Sequence, residues 1–313
     1  ETMLQLTYLT FTAPRRDDDA FASYKNRSKA SLQNQELNPS VAFGDSIQAT
    51  VYNHHPRAIR MKADMIDQID YDKLMEMYKD RYKDASDFTF ILVGNIDIEK
   101  DKELIAEYLG ALPAINRKET FKDTKMEMRK GTYKNEFIRQ QETPKASVLV
   151  LYNGKCKYDQ KNNLLMSMTS QILDLIYTEK VREDDGVYVG GNLAKYPKEN
   201  AFLQIIFETA PEKKDKLMEI IFAEAANLAK NGPSEANLNK VKEYMLKKHK
   251  EDLKENSYWL GNIDEYLFTG VDMMKDHENM VNSITTKDIQ KFADELLKQK
   301  NEVEVTMVSP EKK

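Results

Sequence analysis

Residues 69–93, IDYDKLMEMYKDRYKDASDFTFILV, lie over residues 284–308, ITTKDIQKFADELLKQKNEVEVTMV, without a gap at an offset of 215 (284 − 69). No other feature of the sequence restricts the fold as much, because helix, turn and strand recur together in one register. Each stretch opens on an Ile and a capping residue, Asp70 or Thr285, suited to accept from the free N–H groups of a first helical turn. Apolar residues then recur at helical spacing: Leu74, Met77, Tyr78 and Tyr82 in the first copy, Ile289, Phe292, Ala293 and Leu297 in the second. After a polar turn, Phe88/Phe90/Leu92 and Val303/Val305/Met307 alternate with period two and predict a strand in each. The same offset sets Phe43 on Tyr258, Val51 on Tyr266 and Tyr52 on Leu267. The chain is therefore expected to hold two copies of one α+β unit.

A second match has a different offset. TFTAPRRDD (10–18) resembles FETAPEKKD (207–215), and 209 − 12 gives 197. On that register the second copy carries 18 extra residues (215 − 197) ahead of its long helix, and the helical stripe of KLMEIIFAEAANLAKNG suits them. Before its TAP the second copy has ASVLVLYNG (146–154), a strand, and NNLLMSMTSQILDLIYTEKV (162–181), a helix. VYVGGNLAKYPKENAFLQIIFETAP then predicts two strands joined by a Tyr-Pro-Lys-Glu-Asn turn. Ala146 maps to position −51 (146 − 197), so the first copy is expected to lack about its first fifty residues. Its open edge should then be prone to pair with another molecule. LPAINRKETFKDTKMEMRKG (112–131) is polar and aperiodic, as a connection would be. The expected division is residues 1–113, a linker at 114–131, and residues 132–313. Strands paired as hairpins with helices gathered on one face give an α+β sandwich rather than a doubly wound sheet.

Composition narrows the function. The 313 residues are 41% apolar and 32% charged with a net charge of −5, and no basic stripe stands out, which disfavours nucleic acid as a partner. No apolar run approaches the ~20 residues of a membrane span. The opening ETMLQLTYLTF has neither a charged n-region nor an initiator Met, as expected of neither a signal peptide nor a natural start. Cys156 is the single cysteine, which excludes an internal disulfide framework and four-cysteine zinc ribbons. GVYVGGN precedes a strand rather than a helix, so a phosphate cradle is not expected. His54 and His55 fall in a loop, and His249 continues the stripe of Leu238, Val241, Met245 and Leu253 as a core-edge residue. SYWLGNIDEYLF (257–268) matches AFGDSIQATVYN in the repeat, so its aromatic residues are expected to serve helix packing.

Three segments, ASDFTFILVGNID…LIAEYLGALP (85–113), VREDDGVYVGG (181–191) and ENSYWLGNIDEYLFTG (255–270), resemble the C-terminal half of the pitrilysin/insulinase-type zinc peptidases. The resemblance implies the third and fourth of four homologous domains, of the LuxS/mitochondrial-processing-peptidase-like fold, with the third truncated at its N-terminus. It also implies a clamshell peptidase that takes peptides or small unfolded proteins, with an inverted zinc motif, His-x-x-Glu-His, in an N-terminal half. Zinc needs closely set ligands and a carboxylate to activate water. His54, His55, His249 and His277 are the four histidines, and none has a second His at helical spacing in such a motif. Zinc is thus implied for the complete enzyme and not for this chain, which alone is expected not to hydrolyse peptides.

In that family an Arg and a Tyr after the first helix of the fourth domain hydrogen-bond substrate; the matching residues here are Arg182 and Tyr188. Both side chains can donate to a peptide carbonyl or a developing oxyanion. Five residues separate them, where the family usually has six. A shortening by one flips alternate side chains unless the turn absorbs it. The alternative roles are a helix C-terminal cation for Arg182 and cross-strand packing for Tyr188. The implied partners are the chain's own zinc-bearing half and a peptide substrate. The second functional alternative is a non-catalytic scaffold or binding subunit of the same family beside an active zinc-bearing partner.

Overall fold

The computed structural model describes residues 1–181 and 186–309. In chain order the elements begin with α1 (Thr2–Thr12), α2 (Asp18–Leu37), α3 (Pro39–Val51), α4 (Tyr71–Tyr82) and α5 (Ile98–Tyr108). There follow β1 (Thr132–Ile138), β2 (Lys145–Gly154), α6 (Gln160–Lys180), β3 (Val187–Ala194) and β4 (Asn200–Thr209). The chain ends with α7 (Lys214–Asn231), α8 (Glu235–Asp252), α9 (Asn256–Thr269), α10 (His277–Ser283), α11 (Thr286–Leu297) and β5 (Glu302–Ser309). They form two compact units, Glu1–Asn38 with Arg60–Thr124, and Pro39–Ile59 with Lys125–Lys313.

The first unit is helical. Aspartates cap α2, α4 and α5: Asp17 accepts from the Ala20 amide, Asp70 from Lys73, and Asp97 from Glu99 and Lys100. α1 packs on α4 and α5, and α2 packs on a 3₁₀ turn at Ala63–Gln68. Phe11 holds the centre, edge-on to Tyr82 at 5.0 Å and to Phe88 at 4.8 Å between ring centroids. The Asp84 carboxylate ties the next turn to the connection, accepting from the Ser86 hydroxyl at 2.6 Å and the Ile115 and Arg117 amides at 3.0 and 2.6 Å. The strand predicted at 88–92 does not form, and the described residues of this unit contain no strand. Alternation makes a segment ready for a ladder, but a ladder needs a second strand, and this unit offers none.

The second unit is built on a mixed sheet in the order β1-β5-β2-β4-β3, with β1 parallel to β5 and the other pairs antiparallel. On its inner face Val148, Val150, Leu203, Ile205 and Phe207 meet α6, whose Leu165, Met168 and Ile172 are buried. α7 and α11 complete that layer. On the outer face Leu149, Leu151, Val303, Val305 and Met307 meet Phe43 and Val51 of α3. β2 is thus covered on both sides, which is why its sequence is a continuous apolar run rather than an alternation. The chain is α+β, with helices layered on a mixed sheet.

The 215-residue offset holds for the helices that both copies contain. α4 with its cap Asp70 maps onto α11 with its cap Thr285, and α2 ends at Leu37 as α8 ends at Asp252. The turn ending at Gln68 maps onto α10 ending at Ser283. α1 maps onto 217–227 (2 + 215, 12 + 215), inside α7, and packs on α4 as α7 packs on α11. The TAP register is therefore wrong, and no 18-residue helix is added in the second copy. Thr12 closes a helix, Thr209 closes a strand, and a tripeptide is too short to specify either. Apart from Tyr258, which is half-buried against His249, the aromatic residues of α9 do not serve packing as expected: Thr269 is its one buried residue among the described ones, and Tyr266, Leu267 and Phe268 are exposed. Its counterpart α3 lies on a sheet, whereas no described sheet lies over α9 in this unit.

Candidate functional site

β3 is the edge strand beside β4, and no strand among the described residues pairs with its other side. Its residues alternate between two environments. Leu193, opposite Ala201, points to the inner core, and Gly191 lies so close to α6 that a Cβ there would meet Met166 Sδ and lie 2.7 Å from Ser170 Oγ. Tyr188, Gly190 and Asn192 take the outer face, opposite Ile206, Gln204 and Phe202. Tyr188 is 73% exposed, Asn192 is exposed, and Gly190 between them leaves a low floor over the Gln204 side chain.

The same face carries a polar group at the end of β2 and β4. Lys145 Nζ donates to both Glu208 oxygens at 2.9 Å, and Ser147 Oγ donates to Oε1 at 2.8 Å. Burial pushes the Glu208 carboxyl up, but the hydrogen bonds from Lys145 and Ser147 outweigh it and hold the net value below the ordinary one. The result is a ribbon of sheet edge with unpaired N–H and C=O groups, a projecting phenol, two amides and a paired carboxylate. It can take up an extended peptide by strand addition. It has no group set to act as a nucleophile. Tyr188 is thus an exposed donor on the face away from α6. Arg182 lies outside the described residues.

No three His, Cys, Asp or Glu side chains come together as a metal-binding group among the described residues. His249 and His277 stack at 4.3 Å, and His249 Nδ1 shares a hydrogen bond with the Tyr258 hydroxyl at 2.9 Å. Among the described residues no third side chain is grouped with the pair to hold a metal, so the residues here do not fit zinc. Burial, then Asp159, Glu295 and Glu199, push the Cys156 thiol up to about 11, so it is protonated at neutral pH and unsuited to attack. No described helix is long and apolar enough to cross a membrane. The sequence missed Gln204, Glu208 and Lys145, because only the strand register puts them on Tyr188's face.

Three likenesses bear on what such a chain belongs to. A zinc protease PQQL-like protein of Arabidopsis thaliana is 26% identical over 290 residues, 84% of this chain and 29% of that protein. The periplasmic protease PqqL of Escherichia coli has a similar fold, with a TM-score of 0.81 at 17% identity over 98% of this chain and 34% of the other. A mutant of the ferredoxin protease FusC, in complex with Arabidopsis ferredoxin, gives a TM-score of 0.78 at 15% identity over 99% of this chain and 34% of the other. This chain thus spans about a third of the length of these relatives. The family model described as the peptidase M16 inactive domain matches residues 68–245, more than half of the sequence, and the chain belongs to that family.

Proposed function

We propose that the chain is the substrate-enclosing, non-catalytic part of a zinc-dependent endopeptidase that degrades peptides or small unfolded proteins. The zinc-bearing half lies on polypeptide outside these residues. The observation that carries this is the outer face of β3, where an exposed Tyr188 stands on an edge strand with free backbone donors and acceptors. Family membership supports the peptidase setting. In this reading a substrate segment lies extended along β3, the Tyr188 hydroxyl donates to a substrate carbonyl, and Arg182 supplies a second donor. The segments 1–113 and 132–313 stand as the third and fourth homologous domains, joined by 114–131. The FusC complex with ferredoxin supports a small protein as one kind of substrate.

The test uses the complete zinc-loaded enzyme and a quenched unstructured peptide. Tyr188→Ala, Tyr188→Phe and Arg182→Ala are each expected to lower kcat/KM about a hundredfold, the scale of one lost transition-state donor. A fall with Tyr188→Phe identifies the hydroxyl rather than the ring. Unchanged kcat/KM in all three makes these residues structural. No cleavage by the wild type, with zinc bound or not, replaces the reading with the scaffold subunit.

A further inference from the structure

The sheet of the second unit has two edges, β3 and β1, and no strand among the described residues pairs with the free side of β1. The Gly131 carbonyl accepts from the Glu302 amide and the Arg139 amide donates to the Val308 carbonyl, in step with the parallel register of β1 on β5. Odd-numbered residues of β1 therefore turn their N–H and C=O toward β5, and Thr132, Lys134, Glu136 and Ile138 turn theirs to the open side. The side chains alternate as well. Tyr133, Asn135 and Phe137 share the outer face with Val303, Val305 and Met307, and the even-numbered residues share the inner face with Glu304.

The strand, TYKNEFI, complements itself. In an antiparallel pairing with β1 of a second copy, the outward groups meet only where even-numbered residues face even-numbered ones, which puts the two-fold axis at a residue. An axis at Lys134 or Glu136 sets that residue on its own copy, like charge on like charge, and an axis nearer either end shortens the ladder. An axis at Asn135 sets Lys134 on Glu136, Tyr133 on Phe137 and Thr132 on Ile138, so opposite charges and aromatic rings each meet twice. The charges are held in place: Lys134 pairs with Glu304 at 2.7 Å and Glu136 with Lys214 at 2.9 Å, yet the Lys134 and Glu136 side chains are still 67% and 58% exposed. With the axis at Asn135 these pairs line up in a row of alternating sign, Glu304 and Lys134 of one copy, then Glu136 and Lys214 of the other. On the outer face the Arg129 guanidinium lies 3.8 Å from the Tyr133 ring centroid, and the Asn135 amide donates to the Ser46 and Thr50 hydroxyls at 2.9 Å.

We infer that β1 is a dimer interface, pairing antiparallel with β1 of a second copy of this chain about a two-fold axis at Asn135. The two five-stranded sheets then join at β1 into one continuous sheet that keeps an open β3 edge at each end. The pairing uses none of the residues assigned to substrate, so it and the function proposed above can each fail without the other.

Sedimentation of the 313-residue chain over a concentration series is expected to show a monomer–dimer equilibrium. Lys134→Glu and Glu136→Lys each set like charges opposite one another and should raise the dissociation constant about tenfold or more. An equimolar mixture of the two variants sets opposite charges at both positions and should dimerise about as tightly as the wild type. Ile138→Pro guards against loss of folding in the charge reversals: it removes an outward N–H and no bond of the β5 ladder, so it should weaken the dimer and leave β1 in place. Amide exchange should slow at Lys134 and Glu136 as concentration rises, and stay slow throughout at Asn135 and Phe137, whose amides face β5. A chain that stays monomeric up to about 1 mM overturns the inference. So does a dimer indifferent to all three substitutions, or a mixture of folded variants no tighter than either alone. Protection at Lys134 and Glu136 that follows an added unstructured peptide rather than chain concentration gives the edge a different occupant and overturns it too.

Discussion

At the scale of single residues, His277, stacked on His249 at 4.3 Å, is a group whose charge state the fold constrains. Burial, then the neighbouring His249, hold His277 below its ordinary value, against the pull of the Met273 carbonyl and Glu278. The folded state then binds fewer protons than the unfolded chain, whose histidine titrates near 6.5. Stability from this site is complete above that value and is lost as pH falls toward the lower folded value. Thermal midpoints taken from pH 7.5 to 5.0 should fall more steeply in the wild type than in His277→Gln, and parallel curves would refute the assignment. The sequence showed the core-edge character of His249 through its place on the α8 stripe. It could not show the contact with His277, since 28 residues and a turn separate them (277 − 249). Tyr188 has the same character. Its residue type suggested a donor, but only the pairing of β3 with β4 gives its face and exposure.

At the scale of elements, what was legible was what is local. α4 and α11 were readable because cap and apolar stripe lie within a dozen residues, and Thr285 with Asp288 closes a full capping box. The unformed strand at 88–92 and the bare face of α9 were not readable, because each depends on a partner that no local pattern encodes. The TAP match misled for the converse reason, being local identity without structural equivalence. β3 gives the sharpest test of packing at this level. Gly191 sits where α6 crosses the strand, and any side chain there must displace Met166 and Ser170. Gly191→Val is expected to cost about 1–3 kcal/mol, the usual range for overpacking a closed core. Gly190→Val, one residue away on the open face, should cost less, since its site meets only the Gln204 side chain at 3.5 Å or beyond. Denaturant midpoints for the two variants check this; equal losses would mean that β3 does not hold its alternation.

At the scale of the whole molecule, the two units differ in how much they bury. α2, α4 and α5 contain no buried residue, and the core of the first unit reduces to Leu4, Phe11, Ala63, Ile66 and Leu112. Helices of this length gain most of their stability from a packed face rather than from propensity. The Asp84 carboxylate ties Ser86 to the amides of Ile115 and Arg117, but this polar link adds no apolar core. The second unit has a sheet covered on both faces and a continuous core from β2 to α11. The 313-residue chain is therefore expected to unfold in two steps, a broad low-temperature loss of helix from the first unit and a sharp transition from the second. Calorimetry with limited proteolysis separates them: at a temperature between the two, cleavage should fall within 1–38 and 60–124 and spare 132–181 and 186–309. The segment 39–59 should survive with the second unit, because Phe43 and Val51 lie against its sheet although 60–124 follows them in the chain. Phe43→Asp is expected to release that segment and lower the second midpoint alone. A single sharp transition, with both units lost together, would mean that the first unit draws its stability from somewhere other than its own core.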